Sequence, residues 1–258
     1  MNAGKEEVFA GTRDSIIKSC FRDTADRDYI AARLLHRQQL WEQFLWMGLQ
    51  AVEKYLKAII LFDDGDTRSL RHDITKALKK AEKIERLEMR VSPRAREFIE
   101  YLEEQGKNRY FTWPRYVKGK ELLHLDHTVW QVRRFCDDFF FPWDHPILLK
   151  RQSTRLKEVQ AGREKNWATF RLEKQGYLEM VLDGGKHPDL RSALVWKNFY
   201  YGGRNRNRIY ARLGEHWTLP NNLVHPEILE WARTRITLSG PVIAEMERRL
   251  KERQKLGK

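Results

Sequence analysis

The stretch that limits the fold most is WMGLQAVEKYLKAIILF, residues 46–62. Leu45, Leu49, Val52, Leu56, Ile59 and Ile60 recur at steps of three and four, the period of a helix face, and nearly every other position is apolar or small. A helix that is apolar around most of its girth must be covered on several sides, which places it at the centre of a helical bundle. One polar line interrupts it: Gln50, Lys54 and Lys57 stand at steps of four and three, and Glu53 lies four residues before Lys57. Cations in such a line either reach a groove or an anionic partner, or reduce to a Glu53–Lys57 surface pair with no further role.

The flanking segments repeat the helical period. DRDYIAARLLHRQQLWEQ carries Tyr29, Ile30, Arg33 and Leu34 behind Asp26 or Asp28 as a cap, and after a turn at Gly65 a further helix carries Ile74, Leu78, Ala81 and Ile84. SPRAREFIEYLEEQGKN opens with Ser92 as cap and Pro93 at the first helical position and stops at Gly106; a last helix runs from about Gly119 to Phe140. Five helices with short connections predict an all-α, up-and-down helical bundle over residues 22–141, behind an N-terminal extension of residues 1–21. FFFPWDHPILL, with Pro142 and Pro146, closes it, and residues 142–258 read as a basic, mostly helical C-terminal region with helical stretches near 155–182, 188–201 and 226–236.

Charge is distributed unevenly. Residues 151–258 carry +10 of the net +13, an excess that suits a polyanionic partner, most often nucleic acid, although it also serves solubility. No apolar run approaches the ~20 residues of a membrane span and the start lacks a secretory apolar region, so the expectation is a cytoplasmic protein with no membrane association. Cys20 and Cys136 have no Cys or His at ligand spacing, so neither a metal site nor a disulfide is expected, and no cofactor is expected. Gly202-Gly203 is no dinucleotide fingerprint, Gly119-Lys120 lacks the rest of a phosphate-binding loop, and no HExxH, serine-hydrolase elbow or catalytic carboxylate pair appears.

QAVEKYLKAIIL, then RHDITKALKKA after a turn, then NRYFTW before a terminal helix, resemble in that order the motifs of the HEPN domain (higher eukaryotes and prokaryotes nucleotide-binding). The resemblance covers roughly residues 22–140 and implies a bundle that commonly forms a homodimer. It also implies a link to RNA or nucleotides in microbial defence and toxin–antitoxin systems, with an antitoxin as a possible protein partner. Many members are metal-independent ribonucleases that need an Arg followed, after four to six residues, by a His. None of the eight histidines here has an Arg at that spacing; Arg33 to His36 and Arg68 to His72 are too close.

The candidate residues follow from these readings. His72 and Asp73 match the family's His-Asp pair at a helix start, where Asp73 suits the exposed N–H groups and His72 either orients a phosphate or hydroxyl or merely packs. Arg109 and Tyr110 match the family's Arg-Tyr; with Lys107, Arg115, Lys118 and the rings of Phe111, Trp113 and Tyr116 they suit a phosphate-and-base ligand, or else close the end of the bundle. Arg109 with His124 or His127 is the one pairing able to imitate the missing ribonuclease motif. In the basic half, Arg204, Arg206 and Arg208 alternate with asparagines among Tyr200, Tyr201 and Tyr210, as an RNA-facing loop would, or as a solvated loop would. The sequence thus predicts a protein that binds RNA or a nucleotide, Gln50, Lys54, Lys57, His72, Arg109, Tyr110, Arg115, Arg204, Arg206 and Arg208 being its contacts. The alternatives are a ribonuclease with a non-standard Arg/His site and a protein-interaction module.

Overall fold

The computed structural model describes residues 3–108, 110–117, 119–139, 146–161, 171, 175–202 and 216–256. Helix α1 (Ala3–Ile16) runs through a π-helical turn (Ile17–Arg22) into α2 (Asp23–Arg37), which is followed by α3 (Trp41–Phe62), α4 (Ile74–Ala81) and α5 (Pro93–Gln105). Beyond strand β1 (Arg115–Val117) come α6 (Glu121–Arg133), α7 (Pro146–Gln160), α8 (Tyr177–Asp183) and α9 (Pro188–Val195). Strand β2 (His216–Thr218), α10 (Asn221–Val224), α11 (Leu229–Arg235) and α12 (Gly240–Leu256) complete the described chain. Among the described residues the fold is helical apart from one antiparallel ribbon, in which Arg115 faces Thr218 and Val117 faces His216.

The central position read from the apolar girth of α3 is the one observed. Leu49, Ala51, Val52, Tyr55, Leu56, Ala58 and Ile59 are wholly buried, and α2, α4, α5 and α6 surround them. Asp73 and Ser92 cap α4 and α5, their side chains accepting from Lys76 N at 2.9 Å and Ala95 N at 3.2 Å. At the far end of α5, Gly106 lies so close to α3 that a Cβ would stand 3.0 Å from that of Leu49 and 3.1 Å from the Leu45 carbonyl. Helix α6 ends at Arg133 rather than near Phe140, because Phe135 and Cys136 turn inward on bonds to the Val132 and Arg133 carbonyls.

The apolar cluster around α3 also takes in Leu156 and Val159 of α7, Leu178, Val181 and Leu182 of α8, Leu194 of α9 and Tyr201. Two buried ionic networks fasten these later elements to α2 and α6. In the first, Arg133 donates to Asp26 through Nε (2.7 Å) and Nη2 (2.8 Å) and to Glu179 through Nη1 (2.8 Å) and Nη2 (2.7 Å). Tyr55 Oη (2.6 Å) and the Leu178 amide (3.0 Å) also donate to Asp26, and the Gly176 amide donates to Glu179 (3.0 Å). In the second, Arg33 pairs with Asp126 and donates to the Ala193 and Trp196 carbonyls, while Tyr29 donates to Asp126 (2.6 Å) and receives Asn198 Nδ2 (2.9 Å). Burial by itself lowers a guanidinium pKa, yet Asp26 and Glu179 outweigh it at Arg133 and hold it raised.

A smaller cluster, Leu223, Leu229, Val242 and Met246, holds together α10, α11 and α12. Trp113 of the loop before β1 packs against it, and Asn222 Nδ2 donates to the Thr112 carbonyl at 3.1 Å. The ribbon and this contact tie the C-terminal helices to the end of the bundle.

Two outcomes follow. Arg133→Met leaves Asp26 and Glu179 buried face to face without their cation, and urea unfolding is expected to show a loss of roughly 3–5 kcal/mol. Burial first, then Arg33 and Lys197, lower the His36 pKa to about 4 beside the rings of Trp41 and Phe44. The unfolded histidine protonates near pH 6.5 and the folded one near 4, so its contribution is complete above pH ~6.5 and is lost as the pH falls toward ~4. The fall in thermal midpoint between about pH 7 and pH 5 is expected to be shallower in His36→Phe than in wild type.

Candidate nucleic-acid interface

Helix α3 brings the polar line to the segment that precedes α4. Lys57 Nζ donates to Glu53 Oε1 at 2.6 Å and to the Arg71 carbonyl at 2.6 Å; Glu53, nearly buried, also meets His72 Nδ1 at 3.2 Å. The pair on the central helix therefore shapes a loop, gripping one carbonyl and one imidazole of it. Arg71 sits at φ 48°, ψ −111°, a conformation that costs a non-glycine residue about 1–3 kcal/mol and persists only where surrounding contacts impose it. The Lys57 bond to its carbonyl and the His72–Glu53 bond are such contacts.

In front of this loop lies an open groove of about 1030 Å³, lined among others by Arg68, Arg71, His72, Lys76 and Lys107. Its lining holds four cations, Arg68, Arg71, Lys76 and Lys107, against two acids, Asp66 and Asp73. Arg68 pairs with Asp66 at 2.9 Å, Lys76 with Asp73 at 3.1 Å, and Lys107 with Glu103, all as solvent-facing pairs that exchange readily for an anionic ligand. Arg71 has no acidic partner among the described residues. His72 is 74% exposed; with Nδ1 on Glu53, its Nε2 has no hydrogen-bond partner among the described residues. Three or four cations around an open, concave space suit phosphate groups.

The remaining candidates are dispersed. Lys54 is paired with Asp28, and the buried Gln50 Nε2 has no hydrogen-bond partner among the described residues. Arg115 lies at the ribbon, paired with Glu42, donating to Thr218 Oγ1 and resting 5.4 Å from the Phe111 ring centroid. Tyr110 stands at a loop tip, 84% exposed, a few residues beyond Lys107. His127 uses both ring nitrogens, Nδ1 with Tyr200 Oη at 2.6 Å and Nε2 with Ser92 Oγ at 2.9 Å and Gln131 Nε2 at 3.0 Å. His124 meets the Phe98 ring edge-on. Burial first, then the Arg94 charge, lower the pKa of both these histidines. Arg109, Arg204, Arg206 and Arg208 lie outside the described residues, as does Lys118.

The sequence offers Lys57 either a groove or anionic partner or a pairing with Glu53; the bond from Lys57 to a carbonyl fourteen positions on, and the carboxylate behind His72, carry no local signal. Arg68 and Arg71 were legible only as part of RHDITKALKKA and its approach. Among the described residues no group of His, Cys, Asp and Glu converges as a metal site, and no helix is long and apolar enough to cross a membrane.

Arg71→Gly separates the two demands on this loop. Relief of the left-handed strain is expected to raise stability by about 1 kcal/mol in urea titrations, while loss of the unpaired guanidinium weakens retention of polyanions in the groove.

No curated protein and no solved structure matches the chain. A family model described as HEPN domain matches residues 20–113, from the π-helical turn through α2, α3, α4 and α5 to Trp113. Lys57, Arg71, His72 and Lys107, with the groove they frame, all fall within that match. Over residues 20–113 the chain is similar to the HEPN domain.

Proposed function

We propose that this protein binds RNA in the groove before α4, with phosphates held by Arg68, Arg71, Lys76 and Lys107 and with His72 facing the ligand. The observation that carries the reading is the Arg71–His72 loop: a strained arginine without an acidic partner among the described residues, fixed from below by Lys57 and Glu53, at the wall of a cationic groove. The HEPN domain supports it, since the family is linked to RNA and nucleotide binding. The +10 of residues 151–258 adds long-range attraction for a polyanion, and Arg204, Arg206 and Arg208 extend the contacts. Pairing of two copies, an antitoxin partner and a role in microbial defence rest on the family likeness.

Cleavage by the family's usual Arg/His spacing is not part of this reading, because no histidine here has that spacing. A second reading has one observation behind it. A carboxylate on Nδ1 with Nε2 open to a groove is how an imidazole is oriented for proton transfer, and Glu53 and His72 are so arranged beside Arg71. In that reading His72 takes the proton of a ribose 2′-hydroxyl as its oxygen bonds to the adjacent phosphorus, held by Arg71, and the P–O5′ bond breaks, the leaving 5′-oxygen taking a proton from water.

Two assays separate them. Replacing Arg68, Arg71 and Lys76 together by Gln is expected to flatten the plot of log affinity for single-stranded RNA against log salt by about two units, at roughly 0.7 per phosphate contact. Incubation of labelled RNA with the wild-type chain in EDTA is expected to leave it intact; cleavage abolished by His72→Ala would select the second reading.

A further inference from the structure

We infer that a second nucleic-acid surface lies along α2 and the turn after α9, formed by Arg27, Arg37, Trp196, Lys197 and Phe199. This deepens the reading above and rests on it. The three acids of α2 are all committed to ion pairs: Asp23 with Arg22, Asp26 with Arg133 and Asp28 with Lys54. Its exposed cations are not. The Arg27 guanidinium lies 4.4 Å from the Tyr177 ring centroid and that of Arg37 lies 5.7 Å from the Trp196 centroid, which Lys197 Nζ approaches to 4.9 Å. None of the three has an acidic partner among the described residues, in a fold where most arginines do. A ring orders a cation without neutralising it, so the charge stays available to a phosphate. Arg27 and Arg37 are ten residues apart, about 15 Å along the helix at 1.5 Å per residue.

The turn is held in one shape from beneath. Lys197 has φ 51°, in the left-handed region that a lysine seldom adopts. Asn198, wholly buried, accepts from the Tyr200 amide (3.0 Å) and the Tyr201 amide (3.1 Å) and donates to the Leu194 carbonyl (3.0 Å), and Arg33 grips the Trp196 carbonyl. The outcome on the outside is a lysine beside Trp196 and an exposed Phe199 ring, 37% accessible. Cations held on rings, next to a partly exposed aromatic residue, suit single-stranded RNA, whose phosphates take the charge and whose bases stack on rings.

The test measures binding of a fluorescein-labelled, mixed-sequence single-stranded RNA by the full chain over a salt series. Arg27→Gln, Arg37→Gln and Lys197→Gln combined are expected to flatten the salt slope by about two units, and Phe199→Ala to weaken binding roughly 5- to 150-fold. Lys197→Gly guards against loss of fold: it relieves the turn, so its thermal midpoint is expected at or above wild type while the slope still falls by about 0.7. An unchanged slope in the triple variant, with loss confined to the Arg68/Arg71/Lys76 variant, overturns this surface and leaves the groove reading standing; the converse spares this surface and overturns the groove. Unchanged RNA binding together with lost binding to a phosphorylated acidic peptide assigns the face to a protein partner and equally overturns the inference.

Discussion

The structure turns on one buried guanidinium. Arg133 is buried and meets Asp26 and Glu179 at four distances between 2.7 and 2.8 Å. Moving three charged groups out of water costs several kcal/mol each, and such a cluster is tolerated only when every lone pair and N–H has a partner. Tyr55 from α3, the Leu178 amide and the Gly176 amide supply those partners, so the network closes only when α2, α3, α6 and α8 are all in place. A Cβ on Gly176 would stand 2.6 Å from Arg133 Nη2, which shows how little slack remains. The Arg33–Asp126 network lies two turns along both helices and joins α2 and α6 to α9.

That rigidity reaches the candidate sites. With α3 fixed among its neighbours, Glu53 and Lys57 stand still and can hold Arg71 in a conformation it would otherwise leave. With the α9 turn fixed by Arg33 and Asn198, Lys197 is held in its own strained state. In both places a buried ion pair or amide beneath the surface sets the position of an unneutralised cation above it. Binding sites of this kind lose less side-chain entropy when the ligand arrives.

The helical period of residues 45–60 was enough to place α3 at the centre, and Ser92-Pro93 and Asp73 marked two helix starts to the residue. Neither local pattern nor charge reveals that Arg133 and Glu179, 46 positions apart, share one cavity with Asp26. The polar line was read as three residues facing one thing. In the structure Lys54 meets Asp28, Lys57 meets Glu53 and the Arg71 carbonyl, and Gln50 is turned inward, because helical steps fix only the azimuth and the neighbours decide the partner. Of the two histidines the sequence offers to Arg109, His127 is saturated by Tyr200, Ser92 and Gln131 and His124 meets the Phe98 ring, while the Nε2 of His72 has no hydrogen-bond partner among the described residues.

RNA bound as proposed lies against the Arg71–His72 loop. Crosslinking of 4-thiouridine-substituted RNA to the full wild-type chain, followed by peptide mapping, tests it most directly. Crosslinked peptides spanning residues 66–76, lost on competition with unlabelled RNA, are the expected result. Efficient crosslinking that leaves residues 66–76 and Lys107 unmarked would place the RNA elsewhere on the molecule.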